Sequence, residues 1–450
     1  MRRAAQEIFE SALAAVDARE ATKRAMQIEG STLTIAESKF RLPPTLECDV
    51  IAIGKAAWPM AEGMNLGLQS QPGAGRIVAS GVITAPRLPN DKRTLSTRWQ
   101  PFAGGHPLPN EESLSAAQAA FALLERVNAT GGLLVFLISG GGSAMIEWPS
   151  DERITLADLR VANQALITCG ASIREINAVR RAFSAVKGGQ LAARGPLAQK
   201  TTLIVCDTNP GNERDVSSGP SLTPSPNAPI PQEVIARYGL ELRLPVSILE
   251  AIRAGGERPQ SGENTDHPFH VLLDNQTALQ GASRKAEQMG FKVEIASDVC
   301  EQTIAEGCEL LIARFNLVRK NHRDRPVCLI SGGEFSCPVI GNGVGGRNSE
   351  TVLRCAIELH KRRLDAIDSE EPERVVVFSA GTDGIDGNSP AAGAVADDMT
   401  IARGHSLGLD ADVHLQCSDS FGFFQTLGDA IITGPTETNV RDLRIILAGN

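Results

Sequence analysis

The sequence predicts an α/β fold with two domains, one of residues 1–238 and one of residues 239–450. Six short apolar runs alternate along the chain with longer helical patterns, and this alternation is typical of α/β proteins. The runs are almost continuously apolar, as in parallel strands that helices cover on both faces of a sheet. A stretch with four prolines at 223–232 and a polar stretch at 255–268 interrupt the alternation and place the domain boundary.

The six apolar runs are the predicted strands, and the helical patterns between them are the predicted crossovers. The predicted strands are CDVIAIG (48–54), LLVFLIS (133–139), TLIVCD (202–207), HVLLD (270–274), VCLIS (327–331) and VVVFSAG (375–381). The predicted helices are 111–128, 155–169, 277–289 and 349–363. Asn110, Thr155 and Asn275 stand at the starts of three of them, where side-chain oxygens cap the first N–H groups, so we predict that they are N-caps.

Composition and charge narrow the function classes. The formal net charge is -9, which argues against a nucleic-acid binder or a protein of anionic membrane surfaces. The longest uncharged stretch, 127–146, contains five glycines and is predicted to be a strand with loops, not a membrane span. Nine cysteines without a C-x-x-C pair indicate reduced thiols, and the acid-rich N-terminal helix pattern is unlike a targeting segment, so we expect a cytoplasmic protein.

The pentapeptide LISGG occurs twice, at 137–141 and at 329–333. Ligands of parallel sheets bind beyond the carboxyl ends of strands, where loops and helix N-termini present unpaired N–H groups. The first copy continues into a small, flexible loop that is predicted to form an anion cradle with two hydroxyls. The alternative is a tight buried turn. The candidate binding residues of this loop are Ser139, Gly140, Gly141, Gly142 and Ser143.

The second copy leads into another glycine-rich segment before a helical pattern. Gly341, Gly343 and Gly346 match G-x-G-x-x-G, a dinucleotide-binding pattern, but no acidic residue follows at the end of a next strand. Arg347 stands directly after the glycines, and a fixed cation suits an anion better than a nicotinamide. The candidate binding residues of this segment are Gly332, Gly333, Glu334, Gly345, Gly346 and Asn348.

Charged residues also follow predicted strands. Lys55, directly after the first strand, is placed to contact a carboxylate or a transferring phosphoryl group; the alternative is a surface lysine at a helix start. Asp207 closes the third run, and Asp383 and Asp386 lie in the loop GTDGIDG, where they are candidate Mg²⁺ ligands or Asx-turn residues. His106, before a proline, either donates to a bound anion or orders the turn.

These runs, in their order along nearly the whole chain, resemble the class II glycerate kinases, the glycerate 2-kinase family with a MOFRL domain. The runs that carry the resemblance are IAIGKAAWPMAEG (51–63), GGHPLPNEESLSAA (104–117), LISGGGSAMIEWP (137–149), INAVRRAFSAVKGGQLA (176–192), SSGPSLTP (217–224), LISGGEF (329–335), GVGGRNSE (343–350), AGTDGIDGNSPAAGAVAD (380–397) and ITGPTETNVRDLRIIL (432–447).

The resemblance implies ATP-dependent phosphorylation of D-glycerate, commonly to 2-phosphoglycerate, with Mg²⁺. It also implies a Rossmann-like N-terminal domain, a MOFRL module at about 326–447, and an active site in the cleft between the two domains. By the family's pattern Lys55 and Arg347 are catalytic cations, and Asp207 is a third catalytic candidate. We expect glycerate and ATP as the partners, and the sequence leaves monomer and homodimer open.

The chain departs from the family pattern at three positions where an acid is usual, now Asn110, Pro224 and Pro390. If those acids bind metal or select the substrate, we expect either a related hydroxy acid as the substrate or weaker action on glycerate; if they cap turns, nothing changes. A kinase is therefore the main hypothesis. The alternatives are an NAD(P)H-dependent hydroxypyruvate reductase, which rests on the G-x-G-x-x-G match, and a metabolite-binding relative without turnover.

Overall fold

The computed structural model describes residues 1–43, 45–70, 77–89, 95–255, 266–365 and 374–449. The chain divides into two compact units. The N-terminal unit is Ala18–Leu273, and the C-terminal unit combines Met1–Asp17 with Asp274–Asn450. No helix among the described residues is long and apolar enough to cross a membrane.

The strands and helices are numbered along the chain. The strands are β1 Met26–Glu29, β2 Thr32–Ile35, β3 Ser38–Arg41, β4 Leu46–Ile53, β5 Ile77–Ala85, β6 Trp99–Ala103, β7 Leu133–Ser139, β8 Gln199–Val205, β9 Phe269–Leu273, β10 Lys292–Ile295, β11 Val327–Gly333, β12 Arg374–Gly381, β13 Gly393–Asp397, β14 Ala430–Ile431 and β15 Asp442–Gly449. The helices are α1 Arg2–Ala15, α2 Ala18–Arg24, α3 Ala57–Gln69, α4 Glu111–Thr130, α5 Leu156–Ile167, α6 Ile173–Ala182, α7 Gln190–Ala193, α8 Pro231–Arg237, α9 Val246–Gly255, α10 Asn275–Gln288, α11 Ile304–Asn321, α12 Arg347–Asp365, α13 Thr400–Ser406, α14 Ala411–Gln416 and α15 Ser420–Leu427.

The main sheet of the N-terminal unit has the order β6-β5-β4-β7-β8-β9, and all its pairs are parallel. Numbered within this sheet along the chain, the order is 3-2-1-4-5-6, the doubly wound arrangement of the Rossmann fold. The chain reverses its winding direction between β4 and β7. The crevice beyond the carboxyl ends of these two central strands is where such sheets bind ligands.

Both faces of this sheet are covered. Ile51 of β4 and Phe136 of β7 pack with Ala120 and Leu124 of α4 in one core. The alternate strand residues, such as Val50, are also buried, and α3 contacts β4, β5 and β7. Burial on both faces explains why the central strands have almost no polar residues, which made them visible in the sequence.

A small antiparallel sheet, β1-β2-β3, lies outside the predicted strands. Its strands have four residues each and alternate buried with more exposed positions, as in TLTI at 32–35. Such short alternating segments are weak signals beside long apolar runs. Strand β6 was missed for a related reason, since it contains a proline and no continuous apolar stretch. Strand β5 was also missed, because Ser80 and Gly81 interrupt its apolar residues.

The sheet of the C-terminal unit is mixed. Its order is β10-β11-β15-β12-β13-β14, with β10 and β11 parallel and every other pair antiparallel. The parallel arrangement predicted from the apolar runs therefore applies to the N-terminal unit, while here the last strand, β15, enters between β11 and β12. Helix α1 completes this unit: Ile8 and Phe9 are fully buried, and Phe9 stacks near Phe378 at 5.1 Å between ring centroids.

The compact units divide the chain at 273/274, whereas the sequence placed a domain boundary at 238/239. Helix α9 contacts α5, α6 and α8, and Ile248 and Ile252 lie in the same core as Val179 of α6. Strand β9 then extends the parallel sheet by pairing with β8. These contacts hold 239–273 in the N-terminal unit. Of the polar stretch that suggested a boundary, residues 256–265 lie outside the described residues.

Two of the three predicted caps are present. Asn110 and Thr155 each form a capping box with the residue three positions later. The prediction for Asn275 was wrong, because Asp274 is the N-cap of α10 and accepts a hydrogen bond from the Thr277 N–H at 2.8 Å. Asn275 is instead the first residue of the helix, and its amide binds elsewhere.

Gly54, which ends β4, has a φ of +117°. A Cβ there would lie 2.2 Å from the Ser139 carbonyl oxygen. We predict that Gly54→Ala lowers the free energy of unfolding by about 3 kcal/mol or more, because it adds a clash with backbone to an unfavourable φ. Urea unfolding of the purified variant measures this loss.

Gly170→Ala is the matched control, because its φ is +83° and no atom lies within 4 Å of the added Cβ. Only the conformational cost of about 1–2 kcal/mol is expected there. Equal losses in both variants would contradict the close approach at Gly54.

Candidate active site

The first LISGG lies at the crevice that the strand order predicts for ligands. Lys55 follows β4, and the glycine loop follows β7, the neighbouring central strand. The Lys55 N–H donates to the Gly140 carbonyl at 3.0 Å, which fixes one loop against the other. At Gly141, φ +82°, a Cβ would lie 3.3 Å from Lys55 Cε and 3.4 Å from His106 Cε1. The loop therefore brings Lys55, His106 and Gly141 together.

The hydroxyl of Ser139 does not face a ligand. It is fully buried, accepts from the Ala56 N–H at 2.9 Å and approaches the Ile53 carbonyl at 3.3 Å. Ser139 thus ties β7 to the loop after β4. The predicted cradle with two ligand-binding hydroxyls is not what the structure shows, because a buried hydroxyl bonds the backbone wherever it can.

Gly142 is likewise engaged within the fold. Its N–H donates to Ser217 Oγ at 2.9 Å, and the Ser217 hydroxyl donates to the Ser139 carbonyl at 2.5 Å. The N–H groups of Gly141 and Ser143 have no acceptor among the described residues. These two N–H groups are the donors that this loop offers to an anion, and Lys55 and the exposed His106 lie beside them.

Two other features of the N-terminal unit bear on this site. Asp207 follows β8, at the same edge of the sheet as the glycine loop, and is half-buried. Lys187 and Glu147, which the sequence analysis missed, form a fully buried ion pair. Burial lowers the pKa of Lys187, although the attraction of Glu147 opposes this shift. The sequence signal that could have revealed this pair was a charged residue within each of the apolar runs MIEWP and AVKGG.

In the C-terminal unit, Arg347 at the start of α12 lies between two carboxylates. Its Nε donates to Asp442 Oδ2 at 2.5 Å and its Nη2 to Asp442 Oδ1 at 3.2 Å. Nη2 also lies 2.8 Å from Glu334 Oε1. Asp442 is buried, while the side chain of Arg347 is 35% exposed. Asp442 therefore orients the guanidinium from its buried side, and part of the guanidinium remains accessible to solvent.

The two carboxylates stabilise the charged form of Arg347. Burial alone would lower the pKa of Arg347, but attraction to Asp442 and Glu334 outweighs it and holds the pKa above its usual value. Burial likewise would raise the pKa of Asp442, yet Arg347 keeps it below its usual range. Asp442 lies in the run ITGPTETNVRDLRIIL, but the sequence analysis did not identify it as a site residue. The available sequence signal was an acidic residue at the start of the apolar run DLRIIL.

The second LISGG has a different role from the first. Gly332 and Gly333 lie inside β11, paired with β15. The Gly333 N–H donates to Asn275 Oδ1 at 3.1 Å, and a Cβ on Gly332 would lie 1.8 Å from that oxygen. Arg444, fully enclosed, donates to the carbonyls of both glycines. The predicted binding role of Gly332 and Gly333 therefore has little support, since the Gly333 N–H and both carbonyls already have partners.

The G-x-G-x-x-G segment is held by the protein itself. The Gly343 N–H donates to the Cys417 carbonyl at 2.8 Å, and the Gly345 N–H to Asn388 Oδ1 at 2.9 Å. A Cβ on Gly346 would lie 2.3 Å from Asp386 Oδ1. These glycines permit close packing of the loop. The predicted binding role of Gly345 and Gly346 needs a free N–H group, and the N–H of Gly345 is already occupied.

Asp386 caps the N-terminus of helix α12, although it lies in a different segment of the chain. Its Oδ1 accepts from the Asn348 N–H at 2.9 Å, and its Oδ2 from the Ser349 N–H at 2.8 Å and the Ser349 hydroxyl at 2.6 Å. Asp386 is 1% exposed, and burial raises its pKa despite these bonds. Asn348 is also buried; its Oδ1 accepts from Ser379 at 2.6 Å, whereas its Nδ2 has no hydrogen-bond partner among the described residues.

The predicted metal pair does not fit Mg²⁺. Both oxygens of Asp386 are occupied by helix donors, and Asp383 Oδ1 accepts from the Ile385 N–H at 3.1 Å in an Asx turn. Among the described residues, no group of three or more metal-binding side chains occurs. Asp383 therefore forms a turn, which is the alternative that the sequence left open. Asp386 caps a helix.

The Arg347–Asp442 pair makes a testable contribution to stability. A carboxylate whose folded pKa is depressed stabilises the fold fully above its unfolded pKa, about 3.9, and this contribution is lost as the pH falls through the lower folded pKa. We predict that Asp442→Asn costs about 3 kcal/mol at pH 7. The difference from wild type should narrow as the pH falls below about 4. Urea unfolding across this pH range measures both effects.

Asp298→Asn is the control, because Asp298 is 62% exposed in its pair with Arg314. A change below about 0.5 kcal/mol is expected there. A loss in Asp442→Asn that does not depend on pH would show that the charge of Asp442 does not stabilise the unit.

Comparison with known proteins places these features in a family. A model described as a domain of unknown function (DUF4147) matches residues 4–253, and the MOFRL family model matches residues 327–442. A D-glycerate 2-kinase of Thermotoga maritima is 33% identical over 408 residues, which cover 89% of this chain and 91% of the relative. A putative hydroxypyruvate reductase of Agrobacterium vitis is 32% identical over 414 residues, 90% of this chain and 88% of the relative.

A solved structure supports the same assignment. The glycerate kinase of Thermotoga maritima matches with a TM-score of 0.77 and 31% identity, covering 99% of each chain. The resemblance inferred from the sequence is thereby confirmed along nearly the whole length. Both family models, the relatives and the shared fold agree that the chain belongs to the glycerate kinase family with a MOFRL domain.

Proposed function

We propose that this protein is an ATP-dependent glycerate kinase that transfers the γ-phosphoryl group to D-glycerate and forms 2-phosphoglycerate. The observation that carries the proposal is the position of Lys55 beside Gly141 and His106 at the crevice of a doubly wound sheet. Its relatives include proteins named D-glycerate 2-kinase and glycerate kinase. A cation among free N–H donors suits a small anionic reactant better than an apolar one.

Phosphoryl transfer needs positioning and cations more than covalent chemistry. A hydroxyl oxygen of glycerate attacks the γ-phosphorus, the bond to the β-phosphate oxygen breaks, and the hydroxyl proton leaves. We assign Lys55 and Arg347 to the negative charge that spreads over the transferred group. Asp207, at the same edge of the sheet as Lys55, is the proposed acceptor of the proton.

Mg²⁺ would be held mainly by the phosphate oxygens of ATP, and it would supply positive charge to the transferring phosphoryl group. No step is assigned to Asp386, whose oxygens bind helix α12. Two of the three departures from the family pattern are compatible with the proposal. Asn110 caps α4 through its side-chain oxygen as an aspartate does, and Pro390 is exposed.

Two further expectations accompany the proposal. All nine cysteines are free thiols, and five of them are buried, which favours the reducing cytoplasm as the location. The hydroxypyruvate reductase activity that one relative's name suggests has no structural support here, because the N–H groups of Gly343 and Gly345 are occupied.

Purified protein with ATP, Mg²⁺ and D-glycerate should release ADP and a phosphoglycerate that mass spectrometry and NMR identify as the 2-isomer. Lys55→Ala and Arg347→Ala should each lower kcat/KM by about 100-fold or more, since each removes a transition-state cation. Lys39→Ala and Arg354→Ala are the controls in the same units and should retain activity.

An inactive wild type, or Lys55→Ala with unchanged kcat/KM, would contradict the proposal. Oxidation of NADH by hydroxypyruvate at 340 nm is the parallel assay for the reductase. Turnover there, without phosphorylation, would favour the alternative.

Asp386→Asn separates a cap from a metal ligand. We expect a lower free energy of unfolding by about 1–2 kcal/mol, because an amide accepts less well at a helix N-terminus. The Mg²⁺ concentration that gives half-maximal activity should stay within about twofold of wild type. An increase of tenfold or more would show that Asp386 binds the metal.

A further inference from the structure

A chain of hydrogen bonds links helix α6 to the glycine loop. Ser143 Oγ lies 2.7 Å from Ser218 Oγ, and Ser218 Oγ lies 2.7 Å from Asn177 Oδ1. At the far end, Asn177 Nδ2 lies 3.5 Å from the Asp215 carbonyl oxygen. None of these groups is used by the mechanism above.

The chemistry of the end groups gives this chain one direction. A carbonyl oxygen only accepts, so the Asn177 amide presents Nδ2 to Asp215 and Oδ1 to Ser218. Oδ1 also only accepts, and it takes the single proton of the Ser218 hydroxyl. Ser218 is left with lone pairs toward Ser143, so Ser143 donates its own proton to Ser218.

The protein holds this direction in place. Ser218 is 1% exposed and Asn177 2%, so water does not compete for them. Ser217 and Ser218 have φ of 53° and 64°, a left-handed conformation that costs free energy for residues other than glycine. The Ser218 carbonyl accepts from the Gly188 N–H at 3.1 Å, which helps to fix this turn.

Ser143 itself is half-buried and stands two residues after Gly141, on the loop that carries the candidate site. Its hydroxyl proton is engaged, and its oxygen has no further partner among the described residues. Toward a ligand it therefore offers lone pairs. A phosphate or carboxylate oxygen needs a donor, so the Ser143 side chain suits a ligand hydroxyl instead.

We propose that Ser143 determines substrate specificity by accepting a hydrogen bond from the glycerate hydroxyl that is not phosphorylated. Asn177 and Ser218 are positioning residues that keep Ser143 an acceptor. The inference rests on the proposed function, because it takes glycerate as the ligand. A site built for a hydroxyl discriminates against an analogue that lacks it, since its own polar group then stays unpaired.

Binding of three acids tests this inference. Calorimetry with and without a non-hydrolysable ATP analogue compares D-glycerate with D-lactate, which lacks the 3-hydroxyl, and with 3-hydroxypropanoate, which lacks the 2-hydroxyl. Wild type should bind D-lactate, which lacks the hydroxyl that is not phosphorylated, about 10-fold or more weakly than D-glycerate. Ser143→Ala should weaken D-glycerate binding to a similar degree and remove the discrimination against that analogue.

Ser218→Ala tests the positioning role, because it leaves Ser143 in place and frees its proton. The ratio of D-glycerate to analogue affinity should fall in this variant, an effect that a merely structural role would not produce. Ser115→Ala, an exposed serine of α4 bonded to the Glu111 carbonyl, is the control and should keep the wild-type ratio. Matching unfolding midpoints confirm that the variants are folded.

An unchanged ratio of D-glycerate to D-lactate affinity in Ser143→Ala would overturn the inference, and so would a wild type that binds no D-glycerate. The outcome for the proposed function is read separately. Binding with the expected ratios but no phosphorylated product would refute the kinase alone. Product formation with unchanged ratios would refute the role of Ser143 alone.

Discussion

Buried polar groups must find partners inside the protein, and this constraint shapes the ends of the strands in both units. In the N-terminal unit the Ser139 hydroxyl connects the two central strands through Ile53 and Ala56. In the C-terminal unit Asp386 provides the acceptors for the first N–H groups of α12. Residues that seemed available for ligands are thus committed to the fold, and the groups left over define where ligands can bind.

The remaining groups differ in kind between the units. Around Gly141 the backbone N–H groups of Gly141 and Ser143 are left over, Lys55 and His106 lie beside them, and Ser143 contributes lone pairs. Around Arg347 there is one oriented guanidinium, held by Asp442. A loop with both donors and an acceptor suits a hydroxy acid, whereas a single clamped cation suits a phosphoryl group.

Much of the fold was readable from the sequence, because buried parallel strands are continuously apolar: β7 has its predicted bounds, and β11 and β12 begin within one residue of theirs. Short alternating strands such as β1 gave too weak a pattern. The candidate site was only partly readable. The first LISGG ends a strand before an open loop. The second lies within an antiparallel pair of strands, where Asn275 and Arg444 bind its backbone, and these neighbours distinguish the two copies.

The sequence also does not reveal partners that are distant along the chain. Arg347 and Asp442 are 95 residues apart, and Ser143 and Ser218 are 75 apart. Such pairs arise from the order of strands, which a single sequence does not specify. Local signals, such as the caps Asn110 and Thr155, were correct because both partners lie within one helical turn.

Helix α1 belongs to the C-terminal unit, where Arg2 binds Asp397 at 2.7 Å and Asp429 at 2.5 Å. Helix α1 therefore completes its packing only after β12 and β15 have been made. At about 5–20 residues per second, the apolar face with Ile8 and Phe9 stays without its sheet for roughly 20 to 90 s. During synthesis, this apolar face is therefore exposed to aggregation until its sheet has formed.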